Sequence, residues 1–226
     1  MRASSGLTRA GDGVTIVRGE EELVRRIGHR FTTVTELSCV ASDLRTWMSE
    51  RKSAETIAAM ARRAGEVRLR KIYRSGLLLD TVSAREVAGI RDRMGAQVRV
   101  TTEDVNETIV MDGRLVILAG NLNAGQRSYS VITQPETVEG VMSLFETAWR
   151  SATDLDVFDA RVSEIRRLAP AVLDLLSRGV KDESAARTLG MGARTYRRRV
   201  AELMSALGAD SRFQAGVRAR ELGLVS

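Results

Sequence analysis

Apolar and polar positions in the first two thirds of the chain follow two alternating periods. Stretches in which every second position is apolar indicate strands, and stretches with apolar positions three or four apart indicate helices. The pattern predicts seven strands, at residues 13–17, 35–41, 66–73, 97–101, 108–111, 114–119 and 129–133. It predicts helices at residues 20–31, 53–64, 83–94 and 135–149. Strands that alternate with helices, followed by a short meander and a closing helix, indicate an α/β sandwich.

Turn signals between these stretches support the same assignment. Asp112 and Gly113 separate two predicted strands, and the Asp-Gly pair supplies the positive φ angles that a type I′ hairpin turn requires. Gly95 follows the helix predicted over 83–94, at the position of a helix C-cap. Residues 115–118 are apolar at every position, which is typical of a strand covered on both faces.

The last third of the chain changes to a helical pattern in which glycines mark the helix ends. After Pro170, one predicted helix ends at Gly179, and the next, with Asp182 as its expected N-cap, ends at Gly190. A third helix, at about residues 193–207, has one apolar stripe made of Tyr196, Val200, Leu203, Met204 and Leu207. At about 100° per residue, the opposite face carries Arg194, Arg197, Arg198, Ala201 and Ser205, flanked by Thr195 and Arg199.

Charge divides along the chain in the same way as the pattern. Residues 1–160 hold 22 Lys and Arg against 22 Asp and Glu, whereas residues 161–226 hold 13 against 7 and supply the whole net charge of +6. A neutral body with a basic end is expected when one module meets a polyanion. The alternative is a helix face whose arginines only keep it solvated. Three consecutive arginines at 197–199, with no acid between them, weaken that alternative.

Composition sets the expected compartment. No stretch approaches about eighteen consecutive apolar residues, so no membrane span is predicted. Residues 1–12 lack the apolar core of a signal peptide and are expected to form a disordered tail. The single cysteine, Cys39, excludes an internal disulfide framework and fits a reducing cytoplasm. Cys39 is either a redox sensor or a buried small apolar residue, and the apolar strand around it favours the second.

The last third resembles the LuxR/GerE-type helix-turn-helix of bacterial transcription regulators, over about residues 165–224. The resemblance is carried at the family's spacing by residues 175–179, 185–191, 194–200 and 203–208. It implies that the third helix enters the major groove of double-stranded DNA. The chain departs from the family where Tyr196 replaces a Val and Arg199 replaces a His. The expected DNA contacts are Arg194, Thr195, Arg197, Arg198, Arg199, Ala201 and Lys181.

A fourth helix is predicted after Gly208, with Ser211 as its N-cap. The LuxR-type family pairs through this helix, so the resemblance implies a homodimer on two half-sites of DNA. The expected dimer contacts are Ala215, Gly216, Val217, Ala219 and Leu222. The alternative is that these residues close the domain's own core, as we expect for Phe213.

Residues 112–123 resemble the second half of the phospholipase D signature, as in actinobacterial regulators with a degenerate phospholipase-D-like or TrmB-type domain. That chemistry needs a His and a Lys, but Val105 and Glu107 stand at the corresponding positions, and the only histidine, His29, lies far from the motif. We therefore expect a catalytically degenerate domain with no catalytic residue, cofactor or metal. The alternative is a residual phosphate- or nucleic-acid-processing enzyme of phospholipase-D-like type.

Three arginines lie on one side of the strand register predicted over 66–73: Arg68, Arg70 and, just beyond its end, Arg74. They either receive an anionic ligand or form a solvated edge, and the edge is favoured.

The complete prediction is a cytoplasmic, nucleoid-associated transcription regulator. It divides the chain into a tail (1–12), a phospholipase-D-like α/β domain for dimerisation and effector sensing (13–153), a linker (154–164) and an all-α helix-turn-helix domain (165–226). The expected partners are operator DNA, a second copy of the chain and a small-molecule effector that the sequence does not identify.

Overall fold

The computed structural model describes residues 13–42, 44, 55, 58–59, 62–123 and 126–225, with only the backbone described at 121–123 and 126. The predicted tail over 1–12 lies outside the described residues, and so does most of the helix predicted over 53–64. The described strands are β1 Val14–Arg18, β2 Glu36–Ala41, β3 Arg68–Arg74, β4 Gln97–Thr101, β5 Thr108–Met111, β6 Leu115–Asn123, β7 Gln126–Ile132 and β8 Thr153–Asp154.

The described helices are α1 Glu20–Ile27, α2 Thr81–Met94, α3 Pro135–Ser151, α4 Leu155–Ser177, α5 Asp182–Thr188, α6 Ala193–Ala206 and α7 Arg212–Glu221, with 3-10 turns at Gly28–Thr32 and Ser75–Leu79. The seven predicted strands are confirmed, with ends that shift by a few residues. The two-residue β8 was not predicted, because so short a segment has no periodicity. Only helices follow β8 in the described part of the chain, so a mixed α/β part precedes a helical part.

Two compact units make up the described chain, and the division passes through β2, β3 and α3. The first unit lies within residues 1–39, 45–70 and 106–147. Its strands have the order β1-β7-β6-β5-β2-β3, and β1, β7, β6 and β5 pair antiparallel. Part of its core is a cluster in which Val138 of α3 packs with Val110, Val116 and Ile132 of the sheet. Burial of these side chains therefore holds α3 on one face of the sheet.

The β5–β6 turn is a second organising feature of the first unit. Asp112 and Gly113 have φ angles of 52° and 59°, which confirms the predicted type I′ turn. The Asp112 carboxylate accepts hydrogen bonds from the Thr35 backbone (2.8 Å), the Thr35 hydroxyl (2.8 Å) and the Glu36 backbone (2.9 Å). Burial alone would raise the pKa of Asp112, but these bonds and the charge of Arg114 lower it. The turn residue thus fixes the start of β2.

The prediction that the arginines of β3 form a solvated edge was wrong, because β3 is not an edge strand, although the side chain of Arg68 is itself 64% exposed. β3 lies between β2 and β4 in the strand order. The side chain of Arg70 is only 6% exposed, pairs with Glu146 at 2.7 Å and stacks over the Phe145 ring at 5.1 Å. Arg74 pairs with Asp104 at 2.5 Å. A strand interior to the sheet can carry arginines only when each one finds a partner, and sequence periodicity does not reveal those partners.

The second unit lies within residues 40–44, 71–105 and 148–226, and its strands have the order β3-β4-β8. The predicted division at residues 153–165 falls inside this unit. Helix α4 runs without a break from Leu155 to Ser177, so the predicted linker 154–164 is helical and continues into the region predicted as helix-turn-helix. Its buried side chains form one stripe on both sides of Pro170: Phe158, Val162, Ile165, Ala169 and Val172. This continuous burial offsets the cost of a proline inside a helix, about 3 kcal/mol.

Helices α6 and α7 pack against the segments that flank α2. The Ser75 hydroxyl donates a buried hydrogen bond of 2.6 Å to the carbonyl oxygen of Ala206. Gly208 has a φ of 65°, and a Cβ there would lie 2.6 Å from the carbonyl oxygen of Thr102. The Arg218 guanidinium donates to the carbonyl oxygen of Gly208. The C-terminal end of α6 is therefore fixed by close packing and by hydrogen bonds.

Replacement of Asp112 tests the role of the β5–β6 turn. We expect Asp112→Ala to lower the free energy of unfolding by about 1–3 kcal/mol, because three donors at the start of β2 lose their acceptor. Urea unfolding followed by circular dichroism measures this loss.

Asp112→Asn is the matched control, since its amide oxygen still accepts and Asn tolerates a positive φ. We expect it to lose less than about 1 kcal/mol. The stabilisation by ionised Asp112 is complete above the ordinary pKa of 3.8 and is lost as the pH falls through the lowered pKa. An Asp112→Ala variant as stable as the wild type would contradict this account of the turn.

Candidate nucleic-acid interface

Helices α5 and α6 are joined by a tight turn whose geometry follows from its glycines. Gly190 has a φ of 66°, and the Met191 N–H donates to the carbonyl oxygen of Ala186 at 2.9 Å. This left-handed C-cap ends α5, and Gly192 in extended conformation begins α6. Two short helices joined by a Gly-containing turn are thus present at the predicted positions.

The predicted apolar stripe of α6 is confirmed. Tyr196, Val200, Leu203 and Leu207 are buried, and Met204 is half-buried. Burial of this stripe sets the rotation of α6 about its axis, and the opposite face is left at the surface. That surface contains the residues predicted for it: Arg194, Arg197, Arg198, Ala201 and Ser205.

The other predicted DNA contacts have different surroundings. Lys181, just before α5, is exposed, and Thr195 is half-buried. The side chain of Arg199 is only 12% exposed and pairs with Glu202 at 2.7 Å and with Glu164 of α4. The hydrogen bond to Glu202, and secondarily the one to Glu164, raises the pKa of Arg199 against the effect of burial. Arg199, which was predicted to flank the exposed face and to contact DNA, therefore joins α6 to α4.

Arginines on the exposed face differ in how firmly they are paired. Arg194 and Lys181 have no ion pair among the described residues, and Arg198 lies 3.7 Å from Glu202. Arg197 pairs with Asp182 at 3.2 Å and with Glu183 at 2.7 Å. An anion at this surface would therefore meet the unpaired cations Arg194 and Lys181, and also Arg197, which is already paired with two acids.

The prediction that Asp182 caps α5 was wrong. The N-cap is Lys181, which makes no side-chain cap hydrogen bond, and Asp182 is the first residue of the helix. Its carboxylate instead accepts two hydrogen bonds from Arg212 of α7, at 2.8 and 3.0 Å. The hydrogen bonds from Arg212, followed by the contribution of Arg197, outweigh burial and lower the pKa of Asp182. The sequence signal for this pairing was weak, because 30 residues separate Asp182 and Arg212.

Helix α7 separates its predicted dimer contacts into two groups. Ser211 caps the helix as predicted and accepts a hydrogen bond from the Gln214 N–H at 3.1 Å. Ala215 and Ala219 are fully buried by the chain itself, as in the alternative in which they close the domain's own core. Gly216 and Val217 are exposed, and Leu222 is half-buried.

Phe213 was expected to be buried, but it is 84% exposed. With Val217 it lines an apolar groove of about 860 Å³, whose other wall includes Leu173, Leu176 and Val180. The sequence prediction failed here because an aromatic residue near an N-cap can point to either side of the first turn. Exposed aromatic side chains beside a groove are typical of surfaces that bind a partner.

The positions that resemble phospholipase D have a different chemistry. Glu107 is buried and pairs with Arg127 at 2.5 Å, and Arg127 also donates to the carbonyl oxygen of Gly120 at 2.9 Å. Tyr129 is fully buried with its hydroxyl 3.5 Å from a Glu20 carboxylate oxygen, and burial followed by the charge of Glu20 raises the pKa of Tyr129 to about 12. Glu107, at the position where phospholipase D enzymes hold phosphate with a lysine, thus forms an ion pair with Arg127 of the same chain.

The described residues contain no group of three or more His, Cys, Asp or Glu side chains that could hold a metal ion. None of their helices is both long and apolar enough to cross a membrane.

No known protein-family profile matches the chain. A curated relative, the bialaphos biosynthetic pathway regulatory protein of Streptomyces hygroscopicus, is 33% identical over 132 residues, which are 58% of this chain and 52% of the relative. The chain thus spans about half the length of that relative.

Three solved structures align with part of the chain at low identity. TrmBL2, an archaeal chromatin protein described as having a novel mode of DNA binding, is 15% identical with a TM-score of 0.48, and the match covers 66% of this chain and 56% of that one. NucT from Helicobacter pylori is 11% identical with a TM-score of 0.46, over 62% and 99%. The phospholipase D family member Nuc from Salmonella typhimurium is 13% identical with a TM-score of 0.43, over 62% and 97%.

Replacement of Arg199 distinguishes a structural arginine from a DNA contact. We expect Arg199→Ala to lower the free energy of unfolding by about 1 kcal/mol, because the buried part of the side chain and its bonds to Glu164 and Glu202 are lost. Arg194→Ala, on the exposed face of the same helix, should leave unfolding unchanged. Thermal and urea unfolding of both variants check the prediction, and equal stability of the two would contradict it.

Proposed function

We propose that this protein is a sequence-specific transcription regulator that binds double-stranded DNA with α6 in the major groove. The observation that carries the proposal is the exposed face of α6, where Arg194, Arg197 and Arg198 lie opposite a buried apolar stripe. An α-helix fits the major groove, and arginine side chains can donate to guanine O6 and N7 or neutralise phosphates. The regulatory role of the 33%-identical Streptomyces relative supports the same function.

The arrangement of α5, turn and α6 supports a helix-turn-helix of the LuxR type. In such a module the first helix of the pair braces the second, and α5 contributes Ala185 and Ala186 to the core on which α6 packs. Lys181, exposed just before α5, is suited to contact a phosphate beside the groove. Arg199 is left out of the proposed contacts because its side chain is only 12% exposed and is held between Glu164 and Glu202.

The α/β part is proposed to have a regulatory role, in dimerisation or effector sensing. A phospholipase-D-like reaction needs a histidine and a lysine that holds phosphate, and Val105 and Glu107 stand at the corresponding positions. Glu107 is moreover neutralised by Arg127. These observations favour a regulator over the alternative of a phosphate- or nucleic-acid-processing enzyme. A DNA-binding regulator of this kind acts at the nucleoid in the cytoplasm.

We also propose that the protein binds DNA as a homodimer. One helix-turn-helix covers one half-site, and two copies related by a twofold axis match half-sites about one helical turn apart. The exposed apolar residues of α7, Phe213 and Val217, support a contact between two copies through this helix. Gly216 on the same exposed side permits close approach of a second helix.

Alanine replacements on α6 test the DNA-binding proposal. We expect Arg197→Ala and Arg198→Ala each to weaken binding to the duplex upstream of the protein's own gene by about 1–3 kcal/mol if the arginine reads a base. A loss that is independent of sequence and reduces the salt dependence would indicate a phosphate contact. Fluorescence anisotropy with this duplex and with a scrambled duplex measures both effects.

Arg85→Ala is the control for these variants, because Arg85 is an exposed arginine of a different helix, α2. It should bind DNA like the wild type. Folded Arg197→Ala and Arg198→Ala proteins with unchanged DNA affinity would contradict the assignment of α6.

Replacement of Val217 tests the homodimer. Because Val217 is 43% exposed, Val217→Arg should leave the fold intact and reduce affinity for a duplex with two half-sites more than for one with a single half-site. Val82→Arg in α2 is the matched control, since Val82 is 64% exposed. Equal losses on both probes, or a monomer by light scattering that binds DNA one to one, would exclude the dimer.

A further inference from the structure

One acidic side chain at the start of α5 connects two arginines from different helices. Arg212 donates two parallel hydrogen bonds to Asp182, from Nη1 to Oδ1 at 2.8 Å and from Nη2 to Oδ2 at 3.0 Å. Arg197 of α6 donates its Nε–H to the same carboxylate at 3.2 Å. The side chain of Asp182 is only 17% exposed, whereas that of Arg197 is 57% exposed. Asp182 thus connects Arg212 of α7 to Arg197, whose side chain extends into solvent.

The hydrogen bonds of Arg197 leave one edge of its guanidinium available. A guanidinium has five N–H donors, and Arg197 uses Nε toward Asp182 and Nη2 toward Glu183. Both N–H groups of Nη1 and one of Nη2 have no hydrogen bond among the described residues. A bidentate contact to guanine O6 and N7 requires two such donors side by side. Arg197 can therefore be held by Asp182 and Glu183 and can still donate two hydrogen bonds to a guanine through its free Nη edge.

Charge balance explains why an acid can stand so close to a proposed DNA surface. Asp182 and Glu183 together with Arg197 and Arg212 form a cluster without net charge. Arg212 lowers the pKa of Asp182, so the carboxylate stays ionised at neutral pH. The fully buried Tyr196 packs beside the cluster, and burial followed by the charge of Asp182 raises the pKa of Tyr196. The support for Arg197 is thus a charge-balanced cluster centred on the half-buried Asp182 and not an isolated ion pair.

We propose that Asp182, itself held by Arg212, is a positioning residue that determines sequence specificity by fixing the orientation of the Arg197 side chain. This inference rests on the proposed DNA-binding function. A free arginine samples many rotamers and contacts phosphates and bases alike, whereas an arginine held at Nε presents its Nη edge in one direction. Asp182 therefore increases discrimination between sequences, although its negative charge opposes binding to DNA in general.

Glu183 provides a matched control on the same helix. Each acid contacts Arg197 at one atom pair, Glu183 at 2.7 Å and Asp182 at 3.2 Å. The side chain of Glu183 is 57% exposed, whereas Asp182 is 17% exposed and is itself held by two hydrogen bonds from Arg212, so only Asp182 offers the guanidinium a fixed acceptor. Glu183→Gln and Asp182→Asn remove the same charge from adjacent positions. Any general electrostatic gain in DNA affinity should therefore appear in both variants, and a loss of discrimination should appear only in Asp182→Asn.

The test measures two affinities for each variant by fluorescence anisotropy at fixed salt. The probes are a duplex that the wild-type protein enriches from a random-sequence pool and a scrambled duplex of the same length. We expect Asp182→Asn to bind the scrambled duplex at least as tightly as the wild type and to reduce the ratio of the two affinities about tenfold. Glu183→Gln should leave that ratio within about twofold of the wild type.

A second variant tests the inference without a change at Asp182. Arg197→Lys keeps the charge but cannot be held at Nε and donate two side-by-side hydrogen bonds, so it should reduce the ratio as Asp182→Asn does. In an Arg197→Ala background, Asp182→Asn should have no further effect on the ratio.

The possible outcomes separate the inference from the function on which it rests. Failure of the wild-type protein to enrich any sequence would overturn the proposed sequence-specific function. Enrichment by the wild type, with the same ratio in Asp182→Asn as in Glu183→Gln, would overturn the positioning role alone. If Asp182→Asn does not fold, as judged by circular dichroism, an unchanged ratio in Arg197→Lys would overturn it.

Discussion

Burial of the apolar stripe of α6 is the interaction on which the proposed interface depends. Tyr196, Val200 and Leu203 are almost completely covered, and together they fix the helix at one rotation about its axis. A rotation by one residue position would bring an arginine into the core at a cost of several kcal/mol. The hydrophobic effect acts on the apolar stripe. Because the stripe fixes the rotation of α6, it also determines which charged side chains face solvent.

The arginines of α6 differ from one another because of their neighbours in other helices. Arg199 ends between Glu164 and Glu202 and becomes part of the packing of α6 on α4. Arg197 ends beside Asp182, whose second partner is Arg212 of α7. Arg194 has no ion pair within the described residues. Three similar side chains on one helix thus have a structural, a supported and an unpaired role, and the helical wheel, which places Arg194 and Arg197 on the exposed face, does not distinguish these roles.

A similar change of role applies to the segment that resembles phospholipase D. Asp112 binds three donors at the start of β2 and stabilises the sheet. Glu107 is neutralised by Arg127, in place of the lysine that would bind phosphate. This part of the chain thus contributes hydrogen bonds and ion pairs to the fold. This is consistent with the proposed regulatory role of the α/β part.

The sequence by itself determined the order of elements, the β5–β6 turn and the buried and exposed faces of α6. These features depend on local periodicity and on residues with special backbone preferences, such as Gly113 and Gly190, so each can be inferred from a short stretch. Only the tertiary structure decided that α4 continues through Pro170, that Arg70 is buried and paired, and that Phe213 is exposed. It also decided that Asp182 supports Arg197 and does not cap α5. The pairing of Arg70 and that of Asp182 depend on partners more than ten residues away. The free energy of burying or pairing a charge depends on such a partner and not on the local pattern.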